Sequence, residues 1–184
     1  MTHYGLGVPK TSDRLSNFDR VKVDIAQTGF FEGREFRTFK ELNLATGSTY
    51  VVRAVVPLNI ILFGLSLSLE TGQVRLATVV GGAESGTWAE TLPIFGRNNM
   101  AVGPHRRSAY VPQVVLTAGG VLTGGTEIDV LRIKTGANAN FSGSVGAESS
   151  DERGVGANTY YFKLVASGPD PAVGVFKARW EERP

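Results

Sequence analysis

Residues 60–69 alternate between apolar and small or polar side chains, and this period of two restricts the fold more than any other feature of the sequence. One side of the repeat holds only large apolar residues, namely Ile61, Phe63, Leu65, Leu67 and Leu69. The other side holds Gly64, Ser66 and Ser68. Successive side chains of a β-strand point to opposite faces of its sheet, so the pattern predicts a strand with one buried face.

Similar β-favouring runs recur along the chain between turn-forming residues. They predict strands at residues 21–25, 35–42, 49–56, 73–80, 111–116, 127–134, 159–165 and 173–180, and a weaker one at 87–95 that contains Pro93. Two inward-facing sets are expected, which are Tyr160, Phe162 and Leu164, and Phe176, Ala178 and Trp180. Thr71-Gly72 predicts a hairpin. Helix is limited to a turn or two at residues 12–19 or 83–90, because neither has a long apolar stripe.

The turn-forming residues also indicate the fold class. The chain of 184 residues contains 23 glycines and eight prolines, which cluster between the apolar runs. Many short strands joined by Gly-rich turns predict an all-β fold, a two-sheet sandwich of the jelly-roll type in preference to a Greek-key barrel. Residues 1–20 are polar and rich in turn-formers, so they are expected to form an extended N-terminal arm. Residues 21–184 are expected to form one β-sandwich domain.

Charge and cysteine content narrow the classes of partner. The 19 basic and 17 acidic residues are interleaved and give a net charge of +2, so the sequence does not favour nucleic acid as a partner. The absence of cysteine excludes disulfides and thiolate chemistry. No apolar stretch approaches the ~18 residues that a membrane-spanning helix needs, so no membrane partner is expected.

The titratable residues do not suggest a catalytic or metal site. Only His3 and His105 are available as histidine ligands, and His105 with Asp129 or Asp151 lacks a nucleophile motif. Three acidic pairs each have an arginine nearby, namely Glu32 and Glu35 with Arg34, Asp151 and Glu152 with Arg153, and Glu181 and Glu182 with Arg179. These pairs are interpreted as structural ion pairs. The sequence therefore predicts no enzyme, no cofactor and no metal.

Two other groups of side chains are candidates for binding. Trp88, Trp180 and Tyr110 could form a platform for a sugar, although Trp180 lies on an alternating face and is expected in the core. Residues 96–108 are predicted to form a long polar loop that carries His105, Arg106 and Arg107. Together with Arg14 and Arg20 of the arm, these cations are the candidate interface with an acidic neighbour; a solvated loop is the alternative.

The segments 22–37, 151–162 and 180–184 resemble small virion proteins of tailed bacteriophages. The resemblance spans most of the chain but follows no defined motif. It implies a virion structural protein, assembled in the host cytoplasm, that decorates the capsid and stabilises the lattice of the major capsid protein. It further implies a homodimer or homotrimer whose arm reaches a neighbour. The alternative is a tail, fibre or baseplate component that binds carbohydrate through a groove around Trp88 and Tyr110, and a hydrolase is the third and least favoured class.

Overall fold

The computed structural model describes residues 28–99, 110–135, 147–148 and 153–184, with the backbone alone for Thr28 and residues 147–148. Within these residues the chain forms one short helix, α1 (Thr28–Phe31), and a series of strands. The predicted arm at residues 1–20, the strand at 21–25 and the helix at 12–19 lie outside this part of the chain. The fold is nearly all β, as the sequence predicts.

The strands fall into three antiparallel sheets. They are β1 (Glu35–Leu44), β2 (Thr49–Val56), β3 (Asn59–Thr71), β4 (Gln73–Val80), β5 (Ala83–Ser85), β6 (Glu90–Thr91), β7 (Phe95–Gly96), β8 (Val115–Ala118), β9 (Val121–Thr123), β10 (Thr126–Lys134), β11 (Ala147–Glu148), β12 (Arg153–Val155), β13 (Asn158–Ala166) and β14 (Ala172–Arg183). Sheet 1 has the order β11-β3-β14-β1-β7, with β12 also on β3. Sheet 2 has the order β10-β4-β13-β2-β8-β6, and β5 pairs with β9 in a small sheet.

The turn at Thr71-Gly72 does not form the predicted hairpin. It joins β3 of sheet 1 to β4 of sheet 2, and these two strands pair with other partners. Gly72 has a φ of 82°, and a Cβ there would lie 2.7 Å from the backbone of Ala172. The turn is therefore a corner between the sheets that only glycine fits. The sequence cue for a tight turn was right, but it does not specify whether the two strands pair.

The two large sheets pack face to face around one apolar core. Sheet 1 contributes Leu67, Leu69 and Phe176, which are all at most 2% exposed. Sheet 2 contributes Leu76, Leu164 and Phe162, and the ring centroids of Phe162 and Phe176 lie 5.6 Å apart. The predicted inward sets on β13 and β14 are therefore confirmed.

A β-bulge changes the faces of β3 halfway along the strand. Leu65, Leu67 and Leu69 are buried as predicted, but Ile61 and Phe63 are only half-buried. The pairing with β14 skips Phe63, so that Ile60 and Leu62 turn inward in their place. The prediction of one continuous apolar face over residues 61–69 was therefore wrong for the first part, because one extra residue inverts the alternation.

The small sheet covers part of the outer face of sheet 2. Val51, Ala77, Val79, Leu122 and Tyr161 form a second apolar cluster there, against which Trp88 packs. Residues 83–90 form β5 and the start of β6, so the possible helix at 83–90 was wrong. The weak strand predicted at 87–95 is divided into β6 and the start of β7, with Pro93 between them.

Candidate functional site

The basic residues proposed from the sequence as an interface are not in the part of the chain that the structure describes. His105, Arg106 and Arg107 fall between residues 99 and 110, and Arg14 and Arg20 precede residue 28. His3, Asp151 and Glu152 are likewise outside it. The interface at these residues therefore stays a prediction.

A group of charged residues, three of them buried carboxylates, lies at one end of the sandwich, where β14 meets β1. We call this group the carboxylate cluster, and it consists of Glu35, Glu181 and Glu182 with the cations Arg34, Arg97 and Arg183. All three carboxylates are at most 5% exposed, and Glu35 lies directly opposite Glu181 in the β1–β14 register. Three negative charges are therefore held together away from water.

Arginines from three segments neutralise two of these carboxylates. Arg34 lies 3.3 Å from Glu181 and is also paired with Glu32, while Arg97 is paired with Glu35. Arg183 donates from Nη2 to Glu181 Oε2 at 3.1 Å. Burial nevertheless raises the pKa of Glu181, and the Arg183 and Arg34 cations only partly oppose that rise. The predicted structural pairing is confirmed for Arg34.

Glu182 is fully buried and is held by hydrogen bonds instead of a cation. Its two carboxylate oxygens accept from the backbone N–H groups of Gln113 and Val114 at 2.9–3.1 Å and from the Tyr110 hydroxyl at 3.0 Å. The indole Nε1 of Trp180 lies 3.3 Å away as a further donor. Burial and the bond to Glu182 raise the pKa of Tyr110 to about 12. A carboxylate with this many donors joins segments of the fold that are distant in sequence.

Of the remaining predicted pairs, that of Arg153 with Asp151 and Glu152 stays a prediction, because both carboxylates lie outside the described residues. Arg153 lies 2.8 Å from Asp129 on β10. The pairing of Arg179 differs from the sequence interpretation. Arg179 has no ion-pair partner among the side chains described, and its Nε is buried without a hydrogen-bond acceptor. Alternation separates Arg179, on the outer face of sheet 1, from Glu182, which points inward. Glu181 lies on the same face as Arg179, but its carboxylate is paired with Arg34 and Arg183.

A second polar group lies on the outer side of sheet 2. Arg53 pairs with Glu84 at 2.9 Å and lies over the Trp88 ring, 4.9 Å from its centroid. Tyr161 donates its hydroxyl to Glu84, and together with burial this raises the pKa of Tyr161 to about 12. Tyr110 instead packs against Phe36 in the main core. The groove expected around Trp88 and Tyr110 is therefore not formed, because the two rings belong to different clusters.

The outer face of sheet 1 carries side chains of a different kind. We call the group Arg37, Phe39, Phe95, Lys177 and Arg179 the outer basic face. Arg37 lies opposite Arg179 and Phe39 opposite Lys177 in the β1–β14 register. The rings of Phe39 and Phe95 stack with centroids 5.5 Å apart, and both are at least 40% exposed. The sequence shows Arg37 and Phe39, and likewise Lys177 and Arg179, at the alternate positions that share a strand face. It does not show that β1 pairs with β14, which brings the four residues together.

An apolar cavity of about 80 Å³ opens between the two sheets. Its walls include Ile60, Leu62, Val155 and Tyr160, and the ion pair of Arg153 and Asp129 lies at its edge. The walls of the cavity can contact only apolar atoms of a ligand, because Arg153 and Asp129 at its edge already pair with each other. Within the described ranges, no group of three or more acidic or histidine side chains is arranged to hold a metal ion.

Comparisons of the chain with protein-family models, with curated proteins and with solved structures find no match. Within the part of the chain described, no helix is long and apolar enough to cross a membrane.

Proposed function

We propose that this chain is a capsid decoration protein of a tailed bacteriophage, which binds the lattice of the major capsid protein and stabilises it through protein–protein contacts. The observation that carries the proposal is the distribution of charge. Within the carboxylate cluster, the charged groups are buried and bind each other and the backbone, which serves stability. Outside it, the outer basic face presents cations and aromatic rings to a partner.

The strand order supports a jelly-roll form of the sandwich, which is part of the proposal. The first long strand β1 pairs with the last, β14, and β2 pairs with β13. On the other side, β14 pairs with β3 and β13 with β4, and β12 and β10 follow at the edges. A jelly roll has this nested order of two four-stranded sheets. The resemblance of segments 22–37, 151–162 and 180–184 to phage virion proteins points to the same class.

Rigid attachment fits a shell-stabilising subunit. A protein that binds only the assembled lattice stabilises it by mass action, and it needs a folded body that does not rearrange on binding. Long paired strands give such a body, since β14 is bonded along its length to both β1 and β3. The arm at residues 1–20 is proposed to reach a neighbouring subunit, and the chain to act as a homodimer or homotrimer.

The test is a co-sedimentation titration of the purified chain against phage shells that lack it. Saturable binding, with increased resistance of the shells to heat, is the expected result. An unrelated β-sandwich of similar size and charge serves as the control for non-specific adsorption. If the chain does not bind shells and is instead recovered in isolated tails, the tail, fibre or baseplate alternative replaces decoration.

A further inference from the structure

Three cations lie side by side on the outer basic face without internal partners. Arg37 and Arg179 are directly opposite on adjacent strands, where Cβ atoms lie about 5 Å apart and like charges destabilise the pair. Lys177 lies one step along the same face of β14. None of the three has an ion-pair partner among the residues described, although Arg34, Arg53, Arg75, Arg97, Arg153 and Arg183 all do.

Arg179 is the least exposed of the three cations, and its Nε lies beneath the surface. The atom is shielded from water and has no acceptor within the described structure. Carboxylates are the acceptors that match guanidinium groups best in charge and planar geometry.

The aromatic pair beside these cations indicates a protein contact. Phe39 and Phe95 stack at an interplanar angle of 12° and stay about two-fifths exposed, at 42% and 40%. Aromatic residues and arginine are the types most enriched where protein interfaces are buried. The face therefore combines an apolar anchor with charge that selects an acidic partner.

The rest of the same face argues against nucleic acid and against a second copy. Glu41 is exposed one step beyond Phe39 on β1, where its carboxylate would repel a phosphate backbone. Val173 and Val175 continue the face on β14 with neutral surface. Two copies face to face would each present Arg37, Lys177 and Arg179, so cations of the described part of this face would meet cations.

We propose that the outer basic face is the surface through which the chain binds an acidic, carboxylate-bearing surface of its partner subunit. This inference rests on the proposed function and adds to it the contact face and the chemistry of the partner. Carboxylates of the partner would lie between Arg37 and Arg179, while Phe39 and Phe95 lose their exposed area.

The experiment measures shell binding by co-sedimentation for two matched charge reversals. One variant carries Arg37→Glu with Arg179→Glu, and the control carries Arg132→Glu with Lys163→Glu on the outer side of sheet 2. Both change the net charge by the same amount. We expect the sheet 1 variant to bind at least tenfold more weakly and the control within about twofold of the original chain. Phe39→Ser should also weaken binding, without any change of charge.

The outcomes of this experiment distinguish a failure of the inference from a failure of the proposed function on which it rests. Equal binding by the original chain and the sheet 1 variant, when both are folded by circular dichroism, overturns the inference and leaves decoration intact. No binding by the original chain overturns both. Fluorescence anisotropy with a labelled single-stranded oligonucleotide and sedimentation of the chain alone complete the test. If the original chain binds the oligonucleotide or self-associates, and the sheet 1 variant does not, the inference of an acidic protein partner is overturned.

Discussion

Strand β14 contributes charged residues to two regions, and these regions differ in whether the charges are paired and buried. Lys177 and Arg179 belong to the outer basic face and have no ion-pair partner in the described chain. Only two residues further on, Glu181 and Glu182 belong to the carboxylate cluster, where cations and backbone N–H groups surround them. One continuous strand therefore supplies both the proposed binding surface and a buried clamp.

Burial explains the difference between the two regions. A carboxylate removed from water without donors costs several kcal/mol, so Glu182 must be bonded by whatever segments enclose it. A cation at the surface is solvated, and an ion pair there contributes ~1 kcal/mol or less, so leaving it unpaired costs little. The bonds of the buried carboxylates therefore contribute to stability, whereas the unpaired exposed cations are available to bind a partner.

Removal of the buried carboxylate of Glu182 is the strongest test of the difference between the two regions. We expect Glu182→Ala to lower the free energy of unfolding by about 4 kcal/mol, because several buried donors lose their acceptor. Urea denaturation measures the change. Glu41→Ala on the exposed face of β1 is the control, with an expected loss within about 0.5 kcal/mol. Similar losses for the two variants would show that the carboxylate cluster is not a clamp.

The two faces of β3 provide the next largest effect. Leu67 is fully buried, so Leu67→Ala should cost about 3 kcal/mol through the cavity it leaves. Phe63 lies at the bulge and is half-buried, so Phe63→Ala should cost clearly less despite the larger side chain. Denaturation of both variants, with Ser68→Ala as the control, tests the faces. A greater loss at Phe63 would place it inside the core, as the simple alternation implies.

This pair of residues also shows what the sequence can and cannot predict. Alternation identified β2 and β4 with their observed bounds, and it assigned Phe176 and Trp180 to the core. Alternation cannot reveal a bulge, because one extra residue at Phe63 preserves the composition and inverts the faces. The sequence around Thr71-Gly72 likewise predicted a turn without specifying which sheet the next strand joins.

The candidate sites were harder to predict for a related reason. Each region depends on residues distant in sequence, such as Gln113 beside Glu182, or Arg37 beside Arg179. Local patterns show that a side chain points in or out, but not which strand becomes its neighbour. The interpretation as an ion pair was correct for Glu181, although its partners are Arg34 and Arg183 instead of Arg179, and it was wrong for Glu182, which is held by hydrogen bonds.

A smaller effect concerns pH, because two glutamates should respond with opposite signs. Burial raises the folded-state pKa of Glu181, so its contribution to stability is fully present below the unfolded pKa of about 4.3 and is lost as pH rises through the folded value. The Arg75 hydrogen bond lowers the pKa of Glu127, so that contribution is present above the unfolded pKa and is lost as pH falls through the folded value.

Substitution by glutamine removes each titration and tests these signs. Relative to the original chain, Glu181→Gln should gain stability as pH rises from 4 to 7, whereas Glu127→Gln should lose it. Urea denaturation at several pH values provides the measurement. The same sign for both variants would contradict the assignment of buried and exposed carboxylates.

The smallest expected effect tests whether repulsion between Arg37 and Arg179 lowers the stability of the folded chain. Because Arg37 and Arg179 are like charges on opposed positions, Arg179→Thr should leave stability unchanged or raise it by about 0.5 kcal/mol at low ionic strength. Salt should abolish the gain, since it screens exposed charges over roughly 10 Å at 0.1 M. The control is Arg75→Thr, which breaks the pair with Glu127 and should be destabilising at low salt. Thermal unfolding at 20 mM and 500 mM NaCl measures both. If Arg179→Thr instead destabilises the chain at both concentrations, the arginine packs as part of the fold, and the outer face is not held ready for a partner.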